Sequence, residues 1–545
     1  MKKALRDFLI KSNLDALLIT RTDSFLGAYY PPEKGLLKDV TGFSGSAGLA
    51  LITPDKAILF VDSRYTDQAK IQSDWEVLEV PTQTTPSDWI LDNLKGKTIG
   101  YNPWQHSVTW VNLMEAKKIL LKGISSQDWD MLFPKKAIAL QPSFEYDVKF
   151  CGKTTEEKVK KVVSILKENG LDAYLFTSPD SVSYLLNERS LTVPEYPLIF
   201  ERIIIFSDGS YSRFDHNFKY LSGKKTGMDL NSTPMGLFSE LHKHTHIVNL
   251  PDIAEGMKAI KNPIEQDNIR QACLFESAVI CRFLTWVEEN KDYITEVDCD
   301  TKLKELRAEN PLYRGDSFDT IAAVGEHAAR AHYQADKTSN VRVNSASLLL
   351  VDTGGNYLNG TTDMTRTICI GEPTPIMKKR YTQVLKGHIG VATACVKSGD
   401  LPIDIDKKAH SFLREDGVDF THSTGHGIGM YLSVHENPPT IHEYAKTPLK
   451  AGMLFSNEPA FYDSKEGYGI RLENMILTQN GPNNSLILEN LLWIPFDGRL
   501  VDFDMLTEDE KEWLRSYHKA ISERIFPQLS SKEQNTLRPL LDFFL

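Results

Sequence analysis

SLLLVDTGGNYLNGTTDMTRTICIG, residues 347–371, decides the reading of this chain. The stretch predicts two strands around a Gly/Asn-rich turn: an apolar run, Ser347 to Thr353, carrying Asp352, and a second strand, Thr361 to Ile370, carrying Asp363 among threonines. Acids on adjacent strands of a hairpin can converge on one point of a sheet face. Two buried like charges are costly there unless a cation neutralises them. The plainer alternative is that Asp352 caps a turn and Asp363 faces solvent, because Asp beside Gly and Asn is a common turn residue.

Three later segments favour the cation. THSTGHGIGMYLSVHENPP, residues 421–439, holds His422, His426 and His435 among glycines. LFSNEPAFY, residues 454–462, puts Glu458 at the end of an apolar strand. GYGIRLENMIL, residues 467–477, alternates Ile470, Leu472 and Met475 with Arg471 and Glu473, the pattern of a half-buried strand. Four carboxylates and one imidazole form a hard, oxygen-rich donor set suited to a pair of divalent ions such as manganese. Two such ions can share a water, lower its pKa and aim it at a carbonyl carbon. His435-Glu436 runs into Asn437-Pro438-Pro439, so no HExxH zinc motif forms. Gly425, Gly427 and Gly429 complete no GxGxxG, which removes nucleotide binding there. HKHTH, residues 242–246, would place His242, His244 and His246 on one face of a strand, but no acids accompany it, and it reads as surface histidines.

The chain's 545 residues are too many for one core and predict about three or four domains. Its 41% apolar and 25% charged residues and its mean hydropathy of -0.30 are those of a soluble globular protein. A net charge of -11 argues against a nucleic-acid scaffold. No apolar run is long enough to span a membrane. Arg6, Asp7, Lys11 and Asp15 interrupt any signal-peptide core, so a cytoplasmic location is expected. Cys151, Cys273, Cys281, Cys299, Cys369 and Cys395 form no CxxC pair and read as reduced core residues.

The opening residues are α/β in character: a helix from Ala4 to Ser12, then strands at Ala16–Thr20, Ala47–Ile52 and Ala57–Val61. Residues 9–24, LIKSNLDALLITRTDS, align without gaps on residues 166–181, LKENGLDAYLFTSPDS. Leu9, Leu14, Asp15, Ala16, Leu18, Thr20, Asp23 and Ser24 all recur, as expected of one domain duplicated in tandem rather than a solenoid. Asn262, Pro263 and Glu265 then form a helix start, and Ile269, Ala272, Leu284 and Val287 carry that helix to about Asn290. Thr507 and Glu510 start another helix in the tail, where Trp493, Trp513, Phe543 and Phe544 supply apolar mass for docking. The expected domains are 1–150, 151–255, 256–484 and a helical extension, 485–545.

In order, DTGGNYLNGTTDMTRT, HSTGHGIG, SNEPAFY and GIRLEN closely resemble the metal-binding motifs of the aminopeptidase P family. That family belongs to the pita-bread metallopeptidases, with prolidase and methionine aminopeptidase. The resemblance covers motifs over residues 320–477 and the architecture of the whole chain. It implies a mixed α/β and α+β protein: two tandem related α/β domains, a pita-bread catalytic domain and a helical C-terminal extension.

It also implies that Asp352, Asp363, His426, Glu458 and Glu473 bind two divalent ions, manganese first, with zinc or cobalt compatible. Asp363 and Glu473 would bridge them, and Glu458 would take the proton from the bridging water. His332, in AAVGEHAARAHYQA, would stand beside the scissile peptide, with His422 and His435 steadying substrate and tetrahedral intermediate. Arg471 would orient an acid ligand. His327 lies in the same segment, but Tyr333 after His332 fits the pattern better. Ala460 departs from it where glycine is expected, and DSRY in the opening domain suggests that Arg64 shapes the substrate cleft. The implied activity is removal of the first residue from peptides with proline second, by a cytoplasmic homodimer. The rivals are a prolidase, which resembles this chain with one N-terminal domain rather than two, and a non-catalytic pita-bread binding protein, which would have lost ligands.

Overall fold

Helix α1 (Lys2–Ser12) buries Leu5 and Leu9 and stops at Asn13, whose left-handed backbone turns the chain into β1 (Ala16–Thr20). Strands β2 (Leu49–Ile52), β3 (Ala57–Asp62), β4 (Glu76–Val80), β5 (Thr98–Tyr101) and β6 (Leu120–Gly123) complete a sheet of order β4-β3-β2-β1-β5-β6. Helix α2 (Thr155–Glu168) leads into β7 (Ala173–Phe176). With β8 (Ile203–Phe206), β9 (Tyr211–Arg213), β10 (Lys225–Met228) and β11 (His246–Asn249), the second sheet has the order β9-β8-β7-β10-β11.

The five strands of the second sheet repeat the topology of the first, which has one further edge strand, β4. In each, the first strand pairs antiparallel with the next and parallel with a later one. The repeated aspartates explain part of the sequence repeat. Asp15 accepts the amide of Thr98 at 2.8 Å, and Asp172 accepts that of Lys225 at 2.8 Å, each at the first residue of the parallel neighbour. The HKHTH histidines do not share a strand: a helix ends at Leu241, His242 and His244 stack on Phe238 and Phe218, and only His246 enters β11.

The computed structural model describes residues 1–27, 35–134, 136 and 139–545. These form two compact units: Met1–Glu145, Lys153–Val193 and Leu198–Ala254 in one, and Tyr146–Gly152, Pro194–Pro197 and Glu255–Leu545 in the other.

The second unit opens with α3 (Pro263–Asn290), whose capping box of Asn262 and Glu265 forms as expected, and α4 (Glu296–Arg307). Strands β12 (Tyr313–Asp316), β13 (Ile321–Val324), β14 (Leu348–Thr353), β15 (Gly355–Tyr357), β16 (Gly360–Thr361) and β17 (Met364–Cys369) follow. Beyond α5 (Pro375–Ala392) and α6 (Ile403–Arg414) come β18 (Val396–Lys397, between those helices), β19 (Gly425–Gly427), β20 (Glu436–Ile441), β21 (Leu454–Asn457), β22 (Ala460–Asp463), β23 (Tyr468–Arg471), β24 (Asn474–Asn480) and β25 (Ser485–Asn490). The main sheets have the orders β13-β14-β17 and β18-β25-β24-β21-β19-β20.

Two strand expectations need correction. The Thr361–Ile370 strand is split at Thr362-Asp363, and the GYGIRLENMIL strand is split at Leu472-Glu473. Nor are these strands half-buried: every residue of β17 and β23 is buried. Alternation misleads here because the polar positions find partners inside the core. Arg366, fully buried, donates to the carbonyls of Thr365, Glu473, Ile494 and Pro495 and to Asn474 and Tyr517.

Helices α7 (Glu508–Arg524) and α8 (Ser531–Asp542) belong to this same core, with Tyr517, Leu537 and Phe544 buried in it. The tail therefore docks on the second unit itself. Cys395 is exposed and the other five cysteines are buried. Among the described residues no helix is long and apolar enough to cross a membrane.

Candidate metal centre

The donors gather where strand pairing stops. Asn457 and Asn474 are the last rung between β21 and β24, so Glu458 and Glu473 leave the ladder side by side. Thr353 and Met364 are the last rung between β14 and β17, with Asp352 one residue inside it and Asp363 one residue outside. His426 sits in β19 next to Gly427, which pairs with Phe455 of β21. Pairing holds the backbones, while the breaks free these side chains to turn toward one point. Gly425 permits the approach: a Cβ there would lie 1.8 Å from the carbonyl oxygen of Ser456.

One donor atom each from Asp363, His426 and Glu473 lie within 4.8 Å of one another. Nε2 of His426 is 3.4 Å from Asp363 and 3.4 Å from Glu458. Nδ1 of His426 is 2.9 Å from the carbonyl of Gly427, which can only accept, so Nδ1 keeps its proton and Nε2 is the nitrogen that would give up its proton to face an ion. Asp352 receives Nη2 and Nε of Arg471 on Oδ2, at 2.5 and 3.1 Å. Its Oδ1 is buried with no hydrogen-bond partner, which costs on the order of 1–3 kcal/mol. An unpartnered carboxylate oxygen beside three clustered donors is what a divalent ion would satisfy.

The electrostatics agree. Burial pushes Asp352 up to about 6 against the pull of Arg471, with Asp363 adding repulsion. Burial likewise pushes Glu458 up to about 7, opposed by His426 and reinforced by Asp363. Glu473 is held well above the carboxylate range by burial, then by Asp363 and Glu458. Burial lowers His426, but the hydrogen bond to Asp363 and the charges of Glu458 and Asp363 outweigh it and hold the imidazole at about 9. The cluster keeps protons because the one guanidinium of Arg471 does not offset four carboxylates, a need that divalent ions would meet.

His422 donates from Nδ1 to the carbonyl of Ser423 at 2.8 Å, and its Nε2 is 3.0 Å from the Tyr462 hydroxyl. The His435 ring is exposed, 4.3 Å from the ring of His426. Half-buried His332 follows Ala331, whose carbonyl accepts from Arg471 at 3.3 Å. His327 turns away to buried Glu296, 2.8 Å distant, where Tyr333 also donates. Arg64 is bound through Nε and Nη2 to its neighbour Asp62, at 2.8 Å each. Ala460 is buried and pairs with Arg471 across β22 and β23.

Sequence reasoning missed Tyr462, Thr365 and Ser456. Tyr462 accepts a short hydrogen bond from Arg471. Thr365 donates to Glu473 at 2.7 Å and accepts from Arg471 at 3.2 Å. Ser456 donates to Glu458 at 3.0 Å while accepting the amide of His426 at 3.0 Å. The period-two spacing of Thr365 with Thr367, and of Ser456 with Glu458, was the available signal.

Four stretches match described families. Residues 2–127 and 134–217 each match the creatinase/prolidase N-terminal domain, residues 267–480 match metallopeptidase family M24, and residues 484–538 match the C-terminal region of that family. The architecture is thus two creatinase-type α/β domains, a pita-bread catalytic domain and a C-terminal extension. A probable Xaa-Pro aminopeptidase P of Pyricularia oryzae is 31% identical, over 95% of this chain and 94% of its own. One of Laccaria bicolor is 32% identical, over 96% and 90%. The crystal structure of X-prolyl aminopeptidase from Caenorhabditis elegans, described as a cytosolic enzyme with a di-nuclear active site, is 28% identical. It superposes with a TM-score of 0.92 over 100% of this chain and 98% of its own.

Proposed function

This chain belongs to the Xaa-Pro aminopeptidase P family of M24 metallopeptidases, and from that membership we propose that it hydrolyses the first peptide bond of peptides whose second residue is proline. The observation that carries the reading is the gathering of Asp363, His426 and Glu473 within 4.8 Å, beside the unpartnered Oδ1 of Asp352. Asp352, Asp363, His426, Glu458 and Glu473 would hold two divalent ions, manganese by preference for an oxygen-rich set. When bound, the ions supply an activated water and polarise the scissile carbonyl.

The protein's own groups do the rest. Glu458, kept near neutrality in its affinity for protons, takes one from the attacking water and delivers it to the leaving proline nitrogen. Proline has no N–H once acylated, so its departure as a secondary amine requires that delivered proton. Ser456 holds Glu458 in place through Oε1. His332 stands beside the scissile bond, and His435 steadies the developing oxyanion. His422 acts with the Tyr462 hydroxyl, which it shares with Arg471. We also place the enzyme in the cytoplasm as a homodimer, on the strength of the family likeness.

Incubation of the Mn2+-loaded protein with Arg-Pro-Pro-Gly and, separately, Gly-Pro tests this. Release of arginine from the longer peptide, lost in Glu458→Ala, is expected. Cleavage of the dipeptide alone would make the protein a prolidase, and ion binding without cleavage of either would sink the substrate assignment.

A further inference from the structure

Behind the metal centre lies a second charged cluster. His410 of α6 lies between two carboxylates: Nδ1 makes a short hydrogen bond to Asp419, and Nε2 is 3.5 Å from Asp406. Each acid has a second duty. Asp406 accepts the Thr424 hydroxyl at 2.7 Å, and the Thr424 carbonyl accepts the amide of Glu458 at 2.9 Å. Asp419 accepts the amide of Phe420 at 2.9 Å, and the Phe420 ring stacks on His410 at 3.9 Å with planes 11° apart. The His410 ring thereby grips the chain on both sides of His422, directly at residue 420 and through Asp406 at residue 424. The Phe420 ring is itself 5.0 Å from that of His422.

We propose that His410 is a positioning residue for the catalytic segment: as an imidazolium between Asp406 and Asp419, it fixes the stretch from residue 420 to 426 that carries His422 and His426, and through the Thr424 carbonyl the amide of Glu458. The inference rests on the functional reading above for the roles of those three residues. Burial pulls the imidazole down, but its hydrogen bonds to Asp406 and Asp419 and their charges outweigh it, and the group is raised overall. The other charged groups facing the cluster are Arg414, whose Nε donates to Asp419 at 2.7 Å, His442, whose charge acts on Asp406, and Glu443, which acts on Arg414. Arg414 holds its charge throughout and His442 acts on Asp406 through its charge alone, so His410 is the cation in direct contact with both Asp406 and Asp419 that can be lost on the alkaline side.

The test compares the full-length wild type with His410→Gln and His410→Arg. One readout is kcat and KM on Arg-Pro-Pro-Gly from about pH 6 to about pH 10, and the other is Mn2+ affinity by calorimetry. His410→Gln is expected to lower kcat about tenfold or more with KM within about threefold, and to weaken Mn2+ binding at His426. His410→Arg, whose charge does not titrate, is expected to stay within about threefold of wild type and to abolish the alkaline fall in kcat. Wild-type kcat and Mn2+ affinity in the Gln variant, or an unchanged alkaline limb in the Arg variant, would overturn the proposal. If His410→Gln does not fold, the Arg profile against wild type decides. If the wild type cleaves no peptide, the functional reading fails, and positioning is then decided by Mn2+ affinity alone: lost in Gln and restored in Arg, or equal in all three.

Discussion

The hydroxyl of Tyr462 stands 3.0 Å from Nε2 of His422 and also accepts a hydrogen bond from Arg471, the residue that clamps Asp352. One oxygen therefore links a proposed substrate-steadying histidine to a proposed metal ligand. Tyr462→Phe keeps the ring and removes that link. We expect kcat on an Xaa-Pro peptide to fall about ten- to a hundredfold with KM little changed. A Phe variant with wild-type kcat would show the hydroxyl to be idle.

Thr365 presents the same logic at the other carboxylate. Its hydroxyl hydrogen goes to Glu473 and its lone pair to Arg471. Thr365→Val preserves shape but takes the hydroxyl donor from the buried Glu473 carboxylate and leaves Nε of Arg471 with Asp352 alone. Mn2+ affinity should drop about ten- to a hundredfold, measured by calorimetry. Unchanged affinity would rule out this support for Glu473.

Metal removal should interact with pH in a definite direction. An acid raised in the fold contributes stability while protonated, present below its unfolded value and lost as pH rises through its folded one. For Asp352 and Glu458 those limits are 3.8 to about 6 and 4.5 to about 7. The ion-free protein therefore weakens over that window, while ion binding, which must displace the protons, strengthens. The gap in Tm between Mn2+-loaded and chelator-treated protein should be wider at about pH 8 than at about pH 5. An equal or narrower gap would mean that these carboxylates do not hold the ions.

The C-terminal extension reaches the centre through Arg366. The Tyr517 hydroxyl accepts from Arg366 at 3.1 Å and from the amide of Ile494 at 3.1 Å, while Arg366 also donates to the carbonyl of Glu473 at 2.7 Å. Tyr517→Phe should cost about 1–3 kcal/mol in urea unfolding and lower Mn2+ affinity as well. A loss of stability with ion affinity intact would confine the tail to a structural role.

Much of this was legible in the chain. Asn262, Pro263 and Glu265 start α3 where expected, because capping chemistry is local. The duplicated stretch shows as two sheets with five strands in one topology, with Asp15 and Asp172 doing the same work in each. Motif order singles out Asp352, Asp363, His426, Glu458 and Glu473 as candidate ligands, and the fold brings donor atoms of Asp363, His426 and Glu473 within 4.8 Å of one another.

Strand continuity was not legible. Asp363 and Glu473 look like interior residues of alternating strands, yet each lies in a break, since pairing partners from elsewhere in the chain decide where a ladder ends. Burial of Arg366 and the roles of Tyr462, Thr365 and Ser456 depend on contacts between segments tens of residues apart, and that of His410 on how the chain turns back after α6 to bring Asp419 and Phe420 onto its ring. Donor types, caps and repeats are properties of short stretches, and one-dimensional order records them. Which hydroxyl meets which carboxylate, and which nitrogen of His426 keeps its proton, is set only when the packed core brings those stretches together and removes water as the alternative partner.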